Sequence, residues 1–385
     1  MVVETITLSN GANMPLLGLG TWQAKDEQEL TVSLKTALDN GYRLIDTAFL
    51  YQNEAIIGKV LEEYLSSGKI KREELFITTK LPFTAHAAED VEKCVKMQLE
   101  SLRLDYIDLY LIHCPCPFER KNDSFLPNVV DGAFVPTKIE HIETWRAMEK
   151  LHDAGKLKAD QSGWLNHFAS PWRAMEKLHD EGKLKALGVS NFNAEQLEQL
   201  HRQARIKPAN IQVECHIYLP QVELQQVCKK LNVSLTAYAP LGSPGRKAAR
   251  PDGVWPEGDP MTEPIVKEIA AKHDKTPAQV TTYKLSQPSF HYCCELEYEN
   301  MPIVEGAVHH NFEILLRHLT QRGISAIPKS ISPDRVIENI SIFNFTLSDE
   351  EMEQLKSVKT RIRLFVFDFA VGHPFFPHDD LGRTT

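Results

Sequence analysis

Four side chains able to hold or move a proton stand in order along the early part of the chain: Asp46, Tyr51, Lys80 and His113. A phenol of pKa about 10 is a poor acid near pH 7 unless a neighbouring cation stabilises the phenolate it leaves. Lys80 is the candidate cation, and His113 is a third group of the right type. Taken singly, each has an ordinary alternative: Asp46 a strand-end cap, Tyr51 a rim aromatic, Lys80 a solvated base, His113 a packed ring. Their placement argues for a joint role, because Asp46, Lys80 and His113 each sit where an apolar run ends and Tyr51 lies five residues beyond the first of them.

Those runs are Tyr42 to Ile45 before Asp46, Leu75 to Lys80, and Ile107 to His113. Each reads as a strand, and a helical pattern begins at Ala55, just beyond the stretch Asp46 to Glu54. Strand patterns recur near 15–20, 42–46, 75–80, 107–113, 185–190, 210–215, 234–238 and 324–328, with helical patterns between them. This alternation predicts an α/β chain closed as a (β/α)8 barrel, where the carboxyl ends of the strands converge on one catalytic face. Asn10-Gly11, between Thr5 to Leu8 and Met14 to Gly18, predicts an N-terminal β-hairpin with a type I′ turn. Gly18-Leu19-Gly20 fails as a dinucleotide fingerprint, since residue 23 is Gln and no third glycine follows.

Asp46, Tyr51, Lys80 and His113 resemble, in order, the catalytic tetrad of the aldo-keto reductases. Gly188 to Phe192, Gln212 to His216 and Ile327 to Ser330 are similar to further motifs of that family. The resemblance covers nearly the whole chain and implies reversible hydride transfer between a nicotinamide and a small carbonyl substrate. On this reading Tyr51 protonates the carbonyl oxygen, Lys80 supplies the charge, Asp46 holds the ammonium by an ion pair, and His113 orients the carbonyl. A cation about 4 Å from the phenolate contributes about 4 kcal/mol at an effective dielectric of about 20, enough to bring Tyr51 towards neutrality.

The resemblance also implies NADPH/NADP as cofactor. Lys329, Ser330 and Arg335 resemble a clamp for the 2′-phosphate, with Ser332 expected to cap the following helix and Glu338 and Asn339 on its face for the adenine. Ser190, Asn191 and Gln212 match carboxamide contacts, and Tyr238 matches the ring beneath the nicotinamide. Leu241 and Ser243 match the loop over the pyrophosphate. Trp22, Leu50, Cys114, Phe125 and the aromatic tail of Phe365, Phe367, Phe369, Phe375 and Phe376 fit an apolar carbonyl pocket. Many relatives carry Trp where this chain has Cys114, which predicts a wider wall there.

The chain has 385 residues and a formal net charge of -9. That balance argues against a nucleic-acid surface, which wants clustered Lys and Arg. No apolar run approaches the roughly 20 residues that span a bilayer, and the N-terminus lacks a leader pattern, so a cytoplasmic protein off the membrane is expected. A monomer is expected as well, though no feature of the sequence dictates it. The seven cysteines read as reduced thiols. His291, Cys293, Cys294, His309 and His310 match no zinc-ligand spacing, and no metal is expected.

The domain expected is one barrel over residues 1–385, with two irregularities. Trp145 to Ala159 recurs as Trp172 to Ala186 with only Ala154 replaced, by Glu181. Thr281 to Ile314 interrupts a helix that begins near Thr276 in the family pattern. If both are translated, the second copy is expected to occupy the groove beside the barrel, because it runs through Gly182 into the fifth strand. The same insertions motivate a second functional reading, a catalytically impaired nucleotide-binding barrel with a binding or structural role.

Overall fold

The structure is a computed structural model that describes residues 3–131, 133–137, 166–249, 251, 253–273 and 311–378. Strands β1 (Thr5–Thr7) and β2 (Asn13–Pro15) pair antiparallel as the N-terminal hairpin. Its turn differs from the type I′ expectation, since of Asn10 and Gly11 only Gly11 takes a positive φ, of 85°. The Gly11 N–H donates to Leu8 O at 2.9 Å and the Leu8 N–H to Ala12 O at 2.8 Å, so the loop is longer than the tightest hairpin. Asn10 is committed elsewhere: its side chain accepts from Ala12 N at 3.1 Å and donates to Lys185 O at 3.0 Å. One left-handed position, filled by glycine, is what such a longer loop requires.

The barrel strands are β3 (Gly18–Gly20), β4 (Leu44–Asp46), β5 (Phe76–Leu81) and β6 (Ile107–Ile112). A small antiparallel hairpin, β7 (Val129–Val130) and β8 (Ala133–Phe134), stands in the loop after β6. The barrel then resumes with β9 (Leu184–Ser190), β10 (Asn210–Glu214), β11 (Ser234–Tyr238) and β12 (Ser325–Ala326). All neighbours in the eight-stranded sheet are parallel, which requires a crossover between each pair. Its two edges meet through parallel bridges Leu17 to Ala326 and Gly20 to Lys329. The Gly20 N–H donates to Pro328 O at 3.0 Å, and a Cβ on Gly20 would lie 2.6 Å from Ile327 O. The seam therefore needs glycine, and the molecule is the expected (β/α)8 barrel.

Helices α1 (Glu27–Asp39), α2 (Glu54–Ser66) and α3 (Ala88–Leu102) form the first crossovers. Apolar spacing of three and four puts Leu30, Leu34, Ala37 and Leu38 on the buried face of α1, whose start is capped by the Asp26 side chain accepting from Glu29 N at 2.8 Å. Gly58 lets α2 and α3 approach closely, since a Cβ there would meet Ser101 O at 2.2 Å. The main core lies between the sheet and these helices, while a second cluster fills the barrel itself. In that inner cluster Leu8 and Met14 of the hairpin pack on Leu44, Phe76, Leu109 and Leu111, closing the amino-terminal end of the barrel.

The second copy of the duplicated segment spans the end of helix Asn166–Asp180 and the start of β9. Trp172 is 1% exposed and its indole N–H donates to Ile206 O at 3.1 Å, with Met175 and Leu178 also buried. The first copy, 145–159, lies outside the described residues, as do 281–310 of the other insertion, including the five His and Cys weighed for zinc. Its last residues, 311–314, are structured: they open helix Asn311–Gln321, where Ile314 is fully buried.

Candidate active site

The carboxyl ends of β4, β5 and β6 bring Asp46, Lys80 and His113 onto one rim. Asp46 is the last residue of β4, Lys80 lies one residue before the end of β5, and His113 follows β6. Tyr51 ends a single 3₁₀ turn, Phe49–Tyr51, after which Gln52 takes a left-handed φ of 57° and turns the chain into α2. Asn53, 1% exposed, anchors that turn: its amide donates to Thr21 O at 2.9 Å and Ala24 O at 3.1 Å, and its oxygen accepts from Thr47 Oγ1 at 2.8 Å.

At the centre is a buried ion pair. Lys80 Nζ lies 2.6 Å from Asp46 Oδ1, donates to Thr47 O at 2.8 Å, and reaches the Tyr51 hydroxyl at 3.4 Å. Gln212 Nε2 donates to the other Asp46 oxygen at 2.7 Å. Every donor of the ammonium and both carboxylate oxygens are thus engaged, which is what makes a buried pair tolerable. The Tyr51 and His113 rings meet edge to face, 5.7 Å between centroids.

Burial sets the direction of each titration. It pulls the Lys80 ammonium down, but Asp46 and Tyr51 more than offset it and leave Lys80 above its ordinary value. Burial raises Asp46 despite Lys80 and Gln212. His113 is held well below 6.5 by burial and by the Lys80 charge, so the imidazole is neutral, with Nδ1 buried and without a hydrogen-bond partner among the described residues. The expectation for Tyr51 is reversed: burial raises it, Lys80 lowers it and Asp46 raises it again, with a net shift upwards. Desolvation of the phenolate, together with Asp46 lying closer to Lys80 than Tyr51 does, outweighs the attraction of the one cation.

The remaining expected residues fall into three groups. Ser190, Asn191, Gln212 and Tyr238 gather beside the pair. The Asn191 amide donates to His113 O at 2.8 Å and to Ser190 Oγ at 3.1 Å, and its oxygen accepts from Tyr238 OH at 2.9 Å. Asn191, at φ 61°, therefore ties three strand ends together. Leu241 and Ser243 lie half-buried in the loop after β11. That loop is pinned by Arg246, which sequence reasoning passes over: its guanidinium donates to Gly242 O, Pro256 O and Gly258 O at 2.8, 3.0 and 2.9 Å.

At the β12 end, Lys329 and Arg335 are exposed and no described residue forms an ion pair or hydrogen bond with either side chain. Ser332 stands at the cap of helix Pro333–Ile340 without making the cap bond. Instead Ser330 Oγ accepts from Ser332 N at 3.1 Å, which leaves the first N–H groups of the helix open. Two cations with no hydrogen-bond or ion-pair partner among the described residues, beside an uncapped helix start, suit a phosphate. Glu338 is half-buried, whereas Asn339 is buried on the inner face of the helix.

The aromatic tail divides. Phe365 meets Trp22, Tyr238 and Trp255 at 5.6, 5.6 and 5.4 Å, at the site. Phe369 instead packs with Phe83, Phe118 and Phe134 under the β7–β8 hairpin. Phe367 touches Phe369, and Phe375 and Phe376 pack against the main core. Leu50 is half-buried, while Phe125 is buried against Phe49 at 6.1 Å. Cys114 is 2% exposed, in the same core cluster as Cys116. Glu214, part of a motif noted in the sequence but given no role there, locates the tail: its carboxylate accepts from Leu364 N at 2.6 Å and Phe365 N at 3.1 Å.

Among the described residues the five cysteines are free, no cluster of His, Cys, Asp or Glu could hold a metal, and no helix is long and apolar enough to cross a membrane.

Known proteins are similar to this chain along nearly its whole length. The family model described as Aldo/keto reductase family matches residues 16–161 and 166–360. The chain is 37% identical over 390 residues to "Aldo-keto reductase family 1 member A1" of Bos taurus, covering 99% of each. It is 36% identical over 390 residues to the protein of that name in Homo sapiens, again covering 99% of each. The solved structure of the aldose reductase from Schistosoma japonicum matches with a TM-score of 0.74 at 32% identity, over 98% of this chain and 99% of that one.

Proposed function

From the premise that the chain belongs to the aldo-keto reductase family and is an oxidoreductase acting on carbonyl compounds, we propose that it reduces aldehydes or ketones to alcohols with NADPH, Tyr51 serving as the acid. The observation that carries this reading is the Tyr51 hydroxyl, 3.4 Å from a Lys80 ammonium that is itself fixed 2.6 Å from Asp46.

The bound cofactor supplies a hydride to the carbonyl carbon. Tyr51 donates its proton to the carbonyl oxygen, so hydride and proton together make the alcohol. A phenol with raised proton affinity is fully protonated at neutral pH, which is the form an acid needs. Once the proton has left, Lys80 faces the phenolate at hydrogen-bonding range and offsets its charge in a dry site. His113, neutral, directs the carbonyl oxygen towards Tyr51 by a hydrogen bond without bringing a competing charge.

Cofactor residues are assigned on fit. Lys329, Ser330, Arg335 and the open start of the following helix would hold the 2′-phosphate, and Glu338 and Asn339 the adenine. Tyr238 would underlie the nicotinamide, with Ser190, Asn191 and Gln212 at its carboxamide and the Leu241 to Ser243 segment over the pyrophosphate. Trp22, Leu50, Cys114 and Phe125 would border the substrate, joined by Phe365. The proposed setting is the cytoplasm, which the free thiols support. The duplication and the insertion are read as additions to a single barrel.

The test is a paired measurement: NADPH binding by fluorescence, and NADPH consumption with a reactive aromatic aldehyde. Binding with turnover is expected. Tight binding without turnover would favour a nucleotide-holding barrel, and neither would refute both.

A further inference from the structure

Behind Lys80, on the outer side of the barrel wall, lies a closed network of buried polar side chains that the proton transfer does not use. Side chains alternate across a strand, so Lys80 reaches inward to Asp46 while its neighbour Thr79 faces the helices. Glu54 opens α2, three residues after Tyr51, and is 6% exposed. Its Oε1 accepts from Thr79 Oγ1 at 2.6 Å and from Gln98 Nε2 of α3 at 2.9 Å. The same Gln98 nitrogen lies 2.9 Å from Thr79 Oγ1 and 3.3 Å from the backbone oxygen of Lys80. Gln98 Oε1 in turn accepts from the Tyr110 hydroxyl of β6 at 2.7 Å and the Cys94 thiol at 3.6 Å.

We propose that Glu54 is a positioning residue for Lys80, tying the turn that carries Tyr51 to the strand that carries the ammonium and so fixing the separation of the two. The inference rests on the reductase reading of the site. Its logic is mechanical. One carboxylate oxygen joins the first turn of α2 to the Lys80 peptide through Thr79 and Gln98, and each of those groups is buried. Burial also pushes the Glu54 carboxyl up to about 7, which offsets part of any gain from its hydrogen bonds. A hydrophobic side chain would fill the same space at the end of a helix packed on a barrel without that penalty. What it would lose is the link to Thr79 and Gln98. Removing the acceptor leaves Thr79 and Gln98 to re-pair, and the Lys80 peptide loses its tether from behind.

The experiment compares wild type, Glu54→Ala, Glu54→Gln and Gln98→Leu in the full-length protein. Gln keeps an oxygen for Thr79 and Gln98, so it should rescue what Ala loses. Turnover of an aromatic aldehyde should fall by about tenfold or more in Glu54→Ala, the scale expected when reacting groups are misplaced by a fraction of an ångström. NADPH affinity should stay within about twofold of wild type, and Glu54→Gln should recover most of the rate. Gln98→Leu gives the same loss from the far end of the network, and serves if Glu54→Ala does not fold. A readout independent of turnover is the Lys80 signal in protein labelled with 13C at lysine Cε, identified by its absence in Lys80→Arg. It should move in Glu54→Ala and Gln98→Leu and return in Glu54→Gln. An unmoved signal, or equal loss of rate in Glu54→Ala and Glu54→Gln, overturns the positioning role. A wild type without turnover would refute the reductase reading instead, and the Lys80 signal would still decide the role of Glu54.

Discussion

Tyr51 is held in its protonated form by its surroundings, because burial outweighs the pull of Lys80 and Asp46 adds to the burial. His113 loses any proton well below 6.5, and Lys80 stays charged above its ordinary range. None of the three therefore changes state near neutrality. The rate of aldehyde reduction at saturation should be flat from about pH 6 to about pH 9, while alcohol oxidation, which needs the phenolate, should climb over that range. A fall in reduction centred near pH 7 would contradict this. At the other end of the proposed cofactor site, Arg335→Ala should weaken the preference for NADPH over NADH about tenfold, since one charge-assisted contact contributes about 1.5 to 3 kcal/mol. Unchanged preference, measured as the ratio of kcat/KM values, would remove Arg335 from that site. Asp46, Lys80 and His113 are legible in the sequence because each stands at the end of an apolar run, and Tyr51 because it follows the first of them by five residues, just before a helical pattern. The direction of the Tyr51 shift is not, since it depends on how much water burial excludes and on Asp46 lying closer to Lys80 than Tyr51 does.

The elements were legible wherever an apolar run marked a strand, and less so wherever a side chain was committed far along the chain. Asn10 predicts a tight turn but bonds Lys185 O instead, and Ser332 predicts a cap but leaves the helix start open. Glu54 is a similar case, an ordinary acidic residue at a helix start whose carboxylate is in fact buried among Thr79, Gln98 and the nearby ionisable groups Lys80, Cys94 and Tyr110. Its folded value of about 7 exceeds the ordinary 4.5, so the folded protein binds this proton more tightly than the unfolded chain. Stability from this group is full below about pH 4.5 and is lost as pH rises through about 7. Glu54→Gln, which cannot ionise, should therefore gain stability over wild type by about 2 kcal/mol more at pH 8 than at pH 5, read by denaturant unfolding. A difference that does not depend on pH would contradict the burial argument. The duplicated helix gives a second test at this scale. Trp172 is buried and hydrogen-bonded, so Trp172→Ala should cost about 3 to 5 kcal/mol, whereas Trp145→Ala should cost less than about 1 kcal/mol if only the second copy packs on the barrel. Equal losses would place both copies in packed surroundings.

The whole molecule is a barrel whose closure and rim no single stretch of sequence reveals. Gly20 meets Ile327 and Lys329 only after the chain has gone round all eight strands, and Glu214 finds the amides of Leu364 and Phe365 only when the tail folds back over the rim. That return places Phe365 among Trp22, Tyr238 and Trp255, joining the wall of the proposed substrate pocket to the loop pinned by Arg246. Barrel, rim and tail together serve one claim, that a tyrosine beside a buried lysine protonates a carbonyl as hydride reaches it. The most direct measurement is turnover of an aromatic aldehyde by wild type and Tyr51→Phe at pH 7, followed by the loss of absorbance of the reduced nicotinamide, with NADPH affinity measured on both. The account predicts turnover by wild type and a loss of about 100-fold or more in Tyr51→Phe with NADPH still bound; turnover undiminished in Tyr51→Phe would contradict it.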